Sequence, residues 1–223
     1  MKITKFNQSN LLIETKGKRI LIDPSNIEYK SEYVDEYWNN IDVILITHRH
    51  KDHCNIEVIN KIIERDNVKI YTSNEVVKEY NLINANIVKE NDVFYIDDIK
   101  VEVTKAVHGY LTYMRENKAE ILENIGFIID DGTTRLYTTS DTINFYNNYK
   151  CDVLCMPFNG NGLTLGIVDG VSFAKAINPK LVLPIHLQHP KSIMNPNLNE
   201  LKNALQEEGL NYKILGFNET LEI

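Results

Sequence analysis

The chain has 223 residues, of which 43% are hydrophobic and 25% are charged, and its formal net charge at pH 7 is -7. This length suits one large domain with a buried core, and the acidic balance argues against a nucleic acid or an anionic membrane surface as a partner. The first residues lack the apolar core of a signal peptide, and no stretch approaches the ~18 apolar residues of a membrane span, so we expect a cytoplasmic protein.

The N-terminal half is predicted to begin with three strands, over residues 1–6, 10–15 and 19–23. A nearly continuous apolar run at 41–47 predicts a strand that is covered on both faces. Asn55 and Ser73 are typical helix caps, so we expect helices from there to about residues 66 and 80, with a strand at 68–72 between them.

The C-terminal half alternates between strands and helices. Strands are predicted near 86–88, 93–96 and 100–106, then in a hairpin at 125–130 and 135–139. A strand at 153–157, a helix over about 169–177, a strand at 181–185, a helix over 198–208 and two closing strands follow. About a dozen strands and four helices, with no low-complexity linker, predict one domain over residues 1–223 with two packed sheets and helices on the outer faces.

The three cysteines are expected to stay reduced. Cys151 and Cys155 lie in one predicted strand, where a rise of ~3.3 Å per residue puts them ~13 Å apart, too far for a disulfide. Cys54 follows His53 and is interpreted as a small residue packed at the start of a helix, with a reactive thiol as the alternative. No cysteine pair has the spacing of a structural zinc site.

Residues 47–53 read Thr-His-Arg-His-Lys-Asp-His and contain three of the six histidines. Imidazole and carboxylate are the usual protein ligands of zinc and related divalent ions. The cluster directly follows the apolar strand at 41–47, and open α/β sheets bind ligands at the carboxyl ends of their strands. The cluster therefore predicts a metal site at a sheet edge, and Arg49 and Lys51 within it are expected to point outward or to brace the loop.

Three further polar residues follow predicted strands in the same way, namely His108, Asp141 and His186. Taken singly, each suits a structural or surface role. Taken together with the cluster, they predict that all these side chains converge on one rim of the sheets.

These motifs resemble those of the metallo-β-lactamase superfamily over essentially the whole chain. The matching segments are His-x-His-x-Asp-His at 48–53, Arg-Ile-Leu-Ile-Asp-Pro at 19–24, Ala-Val-His at 106–108, Ser-Asp-Thr at 140–142 and Leu-Pro-Ile-His at 183–186. The Gly-rich run at 159–166 is similar to that of the branch that contains ascorbate-6-phosphate lactonase and many metal-dependent hydrolases.

The resemblance implies a four-layer αββα sandwich of mixed α/β (α+β) class, with two divalent metal ions at its edge. All seven family ligands are present. They would be His48, His50 and His108 for one ion, Asp52, His53 and His186 for the other, and Asp141 as the bridge. Zinc is the expected metal, and manganese or iron are the alternatives because His/Asp sites accept all three.

The chain also departs from the family pattern. Many members of this branch carry Gly-His where this chain has Asn7 and Gln8, which puts any substrate contact of that histidine in doubt. Position 50 is His rather than the Glu typical of flavodiiron relatives, so oxygen-reducing diiron chemistry is less favoured. The long inserted arm of tRNA-processing members is missing as well.

The ligand set predicts hydrolysis. Two divalent cations ~3.5–4 Å apart lower the pKa of a shared water from 15.7 to near neutrality, which supplies hydroxide for attack on a carbonyl or phosphoryl group. Asp52 and Asp141 are the predicted catalytic residues, and a protonated Asp141 or a bound water would pass a proton to the leaving group. The expected substrate is a small, anionic ester, lactone or phosphodiester. A mononuclear iron redox enzyme resembling a sulfur dioxygenase, or a metal-binding protein without activity, are the alternatives, and a homo-oligomer is left open.

Substrate contacts are hypothesised in three places, each with a surface or turn role as the alternative. The stretch after His108 reads as an excursion over the site, in which an arginine would grip a phosphate. The Gly-rich loop and the segment after His186 supply the others. The residues are Tyr110, Tyr113, Arg115, Asn159, Asn161 and His189.

Overall fold

The computed structural model describes residues 1–145, 148–187 and 189–223, apart from the side chains of Tyr113 and Ser192. The strands of its first sheet are β1 (Lys2–Lys5), β2 (Leu11–Thr15), β3 (Lys18–Ile22), β4 (Val43–Leu45), β5 (Lys69–Thr72), β6 (Asn86–Ile87) and β13 (Glu219–Glu222). The strands of its second sheet are β7 (Val93–Ile96), β8 (Ile99–Lys105), β9 (Ile125–Asp130), β10 (Arg135–Thr138), β11 (Val153–Pro157) and β12 (Leu181–Ile185). The helices are α1 (Tyr33–Glu36), α2 (Ile56–Arg65), α3 (Asn74–Tyr80), α4 (Thr112–Glu116), α5 (Ile167–Ile177) and α6 (Leu198–Glu207).

The two sheets pack face to face, with helices on both outer faces. The first sheet has the strand order β13-β1-β2-β3-β4-β5-β6 and the second has the order β12-β11-β10-β9-β8-β7. One apolar cluster fills the space between the sheets. A second cluster joins the first sheet to α1, α2 and α3, and a third joins the second sheet to α5 and α6. The fold is the predicted αββα sandwich.

Burial on both faces explains the apolar runs in the sequence. In β3, Ile20 and Ile22 face the other sheet, whereas Leu21 between them faces the helices. Because successive side chains of a strand point to opposite faces, a sheet covered on both sides needs apolar residues at every position.

The capped helices form as predicted. The Asn55 side chain accepts a hydrogen bond from Val58 N at the start of α2, and the Ser73 side chain accepts one from Val76 N at the start of α3. These bonds satisfy backbone donors that a helix cannot pair internally.

The structure differs from the predicted elements in several respects, of which three are the largest. The short helices α1 and α4 were not expected, since helices of four and five residues are too short to show an apolar stripe, and α1 has no side-chain cap. The strand expected at 41–47 is shorter, at Val43–Leu45. One of the two expected closing strands forms, as β13, while Tyr212 contributes only an isolated bridge to Val182. Among the described residues, no helix has the length and apolar character needed to cross a membrane.

Candidate metal centre

The strand directions bring the predicted ligands to one edge. Within the first sheet, β1, β3 and β4 run in the same direction, and within the second sheet β8, β10 and β12 do. The segment 48–53 follows β4, and the other three predicted ligands follow β8, β10 and β12. The seven side chains therefore meet where the carboxyl ends of the two sets of strands lie together.

Three overlapping groups of ligating side chains form there, and the ligating atoms within each group lie within 4.8 Å of one another. The groups are His48 with His50 and His108, His48 with His53 and Asp141, and Asp52 with His53 and His186. All seven residues predicted as ligands are included.

Asp141 lies between the other side chains. Its Oδ2 atom is 3.4 Å from His53 Nε2, 3.3 Å from His186 Nε2 and 3.9 Å from His108 Nε2. Asp52 lies on one side only, with Oδ2 3.2 Å from His186 Nε2. One carboxylate thus contacts both halves of the cluster, which is the position that a bridging ligand needs.

His48 and His53 are oriented by one buried hydrogen-bonded chain. His48 Nδ1 lies 3.0 Å from Thr47 Oγ1, and Thr47 Oγ1 donates to Asp23 Oδ2 at 2.8 Å. His53 Nδ1 lies 2.8 Å from the same Asp23 oxygen. Because the Nδ1 atoms are engaged in this way, Nε2 of both rings is left to face the centre.

Backbone carbonyls orient two further rings. His50 Nε2 lies 2.8 Å from Ala119 O, which leaves Nδ1 of this ring for the centre. His108 Nδ1 lies 2.7 Å from Gly109 O, which leaves Nε2. The segment that carries Ala119 is the predicted excursion after His108, so it contacts the centre through this carbonyl group.

Several inward-facing atoms are buried and have no hydrogen-bonding partner among the described residues. They are His48 Nε2, His53 Nε2 and Asp141 Oδ1. An unsatisfied buried polar group costs about 1–3 kcal/mol, and native structures rarely tolerate several in one place. Imidazole nitrogens and a carboxylate oxygen are good ligands for a divalent cation, so these residues fit the metal that the motif implies.

The surroundings within the cluster lower the pKa of some histidines and raise the pKa of others. Burial, together with the neighbouring rings, lowers the pKa of His48 well below its usual value, and burial lowers the pKa of His50. Burial also disfavours protonation of His186, but Asp141 and Asp52 outweigh it and raise the pKa of His186 to about 9. In the cation-free protein, the two carboxylates therefore stabilise a proton on His186, and a cation has to displace that proton.

Asp141 itself stays anionic. Burial raises the pKa of this carboxyl group, but the adjacent His186 and His53 outweigh burial and hold the pKa well below its usual range. A carboxylate that is anionic and buried suits metal ligation.

The backbone is strained around the centre. Asp23, Ser140 and His186 have φ values of 47°, 60° and 57°, in the left-handed region that favours glycine. Such conformations cost about 1–3 kcal/mol each and tend to cluster at functional sites. Asn124 helps to hold the turn at Ser140, since it donates to Asp141 O at 2.5 Å and accepts from Ser140 Oγ at 2.7 Å.

Arg49 braces the loop. Its guanidinium forms an ion pair with Glu75 at 3.0 Å and donates to the carbonyl oxygens of Lys118 and Glu120 at 2.8 and 2.7 Å. These bonds tie the cluster at 48–53 to the segment whose Ala119 carbonyl orients His50. Lys51 is exposed.

The hypothesised substrate contacts lie outside the three groups. Tyr110 is 52% exposed, and Arg115 is exposed in the last turn of α4. Asn161 donates to Asn159 O and to Ile193 O at 3.2 and 3.3 Å, which is a turn role.

Two further contacts concern the segments beside His186. His189 is half-buried, and its Nδ1 accepts from Lys191 N at 3.0 Å. Asn159 donates to His186 O at 2.9 Å and so supports the backbone of a predicted ligand. Substrate contact stays a prediction for all these residues, and the side chain of Tyr113 lies outside the described residues.

The cysteines behave as packing residues. All three are free, and burial raises the pKa of the Cys54 thiol far above its usual value. A thiol that stays protonated is a poor nucleophile, so the interpretation of Cys54 as a small packed residue is favoured over a reactive one.

Sequence reasoning overlooked Asp23 and Thr47 as functional residues. Asp23 follows β3 and Thr47 follows β4, and both strands end at this edge. A polar residue directly after a strand was the signal used to predict the ligands, and it was present at Asp23 and Thr47 as well. In the sequence, Asp23 only ends a strand and Thr47 only begins the motif, because a sequence does not show that the two residues share one hydrogen-bonded chain.

Comparisons with known proteins agree with this geometry. Residues 2–186 match the family model described as "Beta-lactamase superfamily domain". A protein of Bacillus thuringiensis (strain Al Hakam), named a UPF0173 metal-dependent hydrolase, is 30% identical over 203 residues, which cover 83% of this chain and 85% of the relative. A protein of Nanoarchaeum equitans (strain Kin4-M) with the same family name is 28% identical over 234 residues. This match covers 100% of this chain and 100% of the relative.

A solved structure is also similar. A metallo hydrolase from the hyperthermophilic archaeon Ignicoccus hospitalis KIN4/I superposes with a TM-score of 0.79 at 21% identity, over 100% of this chain and 98% of that chain. At this identity the likeness concerns the fold. Together with the family model, which spans all seven predicted ligands, these matches show that the chain belongs to the β-lactamase superfamily domain family.

Proposed function

We propose that this protein is a metal-dependent hydrolase with a dinuclear centre, acting on a small anionic ester, lactone or phosphodiester. The observation that carries the proposal is the position of Asp141, whose Oδ2 atom lies 3.3–3.9 Å from histidines in both halves of the cluster. A single-ion site would not need a carboxylate placed between two sets of ligands. The names of the relatives, which describe metal-dependent hydrolases, support the same reaction class.

His48, His50 and His108 would hold one ion, and Asp52, His53 and His186 the other. When bound, such a pair of divalent cations acidifies a water and polarises the oxygen of the bond to be cleaved. The neutral imidazoles bind without cancelling the charge of the cations, and Asp141 offsets the repulsion between them.

Asp52 is the carboxylate best placed to move a proton. Its side chain is 25% exposed, whereas that of Asp141 is 6% exposed. Asp52 can therefore accept the proton of the attacking water on the carboxylate oxygen that does not hold the ion, and return it to the leaving group. Asp141, which is anionic and enclosed, serves as a ligand in this proposal rather than as the proton donor.

The test is hydrolysis by purified protein loaded with zinc or manganese, against panels of esters, lactones and phosphodiesters. We expect turnover in one panel and, because a proton carrier contributes about 100-fold or more, a corresponding loss of kcat in Asp52→Asn. Asp131→Asn is the matched control, since Asp131 is buried in a hairpin and bonds Thr15. Two bound metals without turnover in any panel would contradict the proposal, and one iron per chain with thiol-dependent oxygen uptake would favour the redox alternative.

A further inference from the structure

Gln8 has a buried side-chain amide that the hydrogen-bond network leaves unused. Its side chain is 0% exposed, and neither Oε1 nor Nε2 has a partner among the described residues. Its φ is 54°, in the left-handed region that glycine and asparagine adopt at a lower cost. A buried amide without a partner and a strained backbone both cost free energy, and such features tend to cluster at functional sites.

His186 also has a buried polar atom without a partner among the described residues, the ring nitrogen Nδ1. The other four predicted ligand histidines each have a partner at the ring nitrogen that faces away from the centre. His186 differs, because its Nε2 faces Asp52 and Asp141 while its Nδ1 is buried without a partner among the described residues. A ring that ligates through Nε2 carries a proton on Nδ1, and that proton needs an acceptor.

The two residues lie on paired segments. His186 N donates to Gln8 O at 2.9 Å, and Gln8 forms an isolated antiparallel bridge with Leu187. His186 also has a left-handed backbone, with a φ of 57°. The unpaired donor and the unpaired acceptor are thus carried by directly bonded stretches of backbone at the same edge of the fold.

We propose that Gln8 is the positioning residue of His186, and that its Oε1 accepts a hydrogen bond from the Nδ1 proton of His186 when the centre binds its cations. The bond would form by rotation of the Gln8 side chain, since the two backbones are already joined by the 2.9 Å bond from His186 N to Gln8 O. The bond fixes the tautomer and the angle of the ring, as Asp23 does for His53. This inference rests on the proposed function, because it concerns the ion that Asp52, His53 and His186 would hold.

The first test compares variants of the whole protein by competition for zinc with a chromophoric chelator. Gln8→Met keeps the length of the side chain but removes the acceptor, and we expect one of the two ions to bind about 10–100-fold more weakly. Gln8→Glu restores an acceptor and should restore most of that affinity. Ser9→Ala is the matched control, since Ser9 Oγ is buried on the same loop without a partner and should leave both affinities unchanged.

The second test is a nuclear magnetic resonance spectrum of the zinc-loaded wild-type protein, which decides the matter even if Gln8→Met does not fold. We expect a slowly exchanging proton on His186 Nδ1 with a nuclear Overhauser effect to the Gln8 amide protons. Absence of that effect, or unchanged zinc affinity in Gln8→Met, would overturn the inference. A wild-type protein that binds no second ion would instead overturn the proposed function, so the two failures are distinguishable.

Discussion

Single hydrogen bonds decide which nitrogen of each histidine faces the centre. Asp23 forms a hydrogen bond with Nδ1 of His53, and Thr47 forms one with Nδ1 of His48, so Nε2 is the atom that faces the centre in both rings. Because the ligating nitrogen has to be unprotonated and correctly aimed, such outer partners contribute to metal affinity without touching the metal.

Replacing Asp23 tests this contribution. Asp23→Asn keeps the shape of the side chain but removes the charge that supports His53, so zinc affinity at the group formed by Asp52, His53 and His186 should fall about 10–100-fold. Competition with a chromophoric chelator measures it. Asp131→Asn should lower the melting temperature and leave zinc affinity unchanged, and equal zinc affinities for Asp23→Asn and the wild type would refute the role of Asp23.

Metal binding should release protons. His186 has a pKa of about 9 in the cation-free protein, so at pH 7.5 the ring is protonated and has to lose its proton before it ligates. Zinc affinity should therefore fall as the pH drops below about 9, and proton release should decline above it. Calorimetry in buffers of different ionisation enthalpy counts the protons, and an affinity that is constant between pH 6 and 8 would contradict this expectation.

The sequence predicts the ligands better than their surroundings. His108, Asp141 and His186 were predicted as ligands because each follows a strand, and a strand end is visible in the sequence. The partners of His50 and His108 are the backbone carbonyls of Ala119 and Gly109, which every residue type has. No residue pattern could have identified them.

Among the loops, the one after β8 is held by the Gly-rich loop at 159–166. Gly109 N donates to Leu163 O at 2.8 Å, and a Cβ atom at Gly109 would lie only 1.9 Å from Gly162 O. Two backbones approach each other there so closely that a side chain cannot be accommodated. This contact fixes the loop that begins with His108.

Gly109→Ala should consequently push the two loops apart and displace His108. We expect the variant to lose most of its affinity for the ion that His48, His50 and His108 would hold, and to have a lower melting temperature. The control is Gly216→Ala, because the atom nearest to a new Cβ there is Glu219 Oε2 at 3.6 Å, an ordinary contact distance. This variant should bind zinc like the wild type. Metal analysis after gel filtration distinguishes them, and full zinc content in Gly109→Ala would exclude a positional role for this contact.

Strand β1 contains an unusual core residue. Lys5 is 1% exposed, and its Nζ donates to Phe6 O at 2.8 Å. It lies two positions after Ile3 in the strand, so its side chain is on the same face as Ile3, towards the space between the sheets. Burial lowers the pKa of Lys5 to about 8 from its usual 10.5, which corresponds to about 3 kcal/mol of destabilisation while both states are protonated.

Lys5→Met should therefore stabilise the protein, by about 1–3 kcal/mol at pH 7 after allowance for the lost hydrogen bond. Because the folded-state pKa lies below the unfolded one, the penalty is complete below pH 8 and disappears as the pH rises towards 10.5. Urea unfolding at pH 7 and pH 10 measures the difference in stability between Lys5→Met and the wild type. The control is Lys2→Met, whose side chain is 43% exposed in the same strand, and its free energy of unfolding should stay within about 0.5 kcal/mol of the wild-type value. A destabilised Lys5→Met, or a difference that does not shrink with pH, would contradict the account.

Helices with a clear signal were predicted, and short ones were not. Asn55 and Ser73 identified the starts of α2 and α3 because a capping side chain is a local property of the sequence. The four residues of α1 have no such cap, and Tyr33 and Val34 pack on the first sheet. The five residues of α4 are followed by a turn in which Ala119 N donates to Met114 O at 2.7 Å. Their existence depends on tertiary structure, which a local pattern does not contain.

Across the whole molecule, the fold followed from the alternation of strands and helices and from the family motifs. The nearly continuous apolar run at 41–47, which contains β4, indicated a sheet covered on both faces, and the αββα sandwich covers both faces of each sheet. The order of strands, with β13 beside β1, could not be predicted, because pairing between distant strands leaves no local trace in the sequence.

The central claim is that seven side chains from two sheets hold a pair of cations around Asp141. Anomalous diffraction at the zinc edge from crystals of the zinc-loaded protein tests it most directly. The account predicts two peaks about 3.5–4 Å apart, with Asp141 bonded to both. A single peak, or two peaks that do not share Asp141, would contradict it.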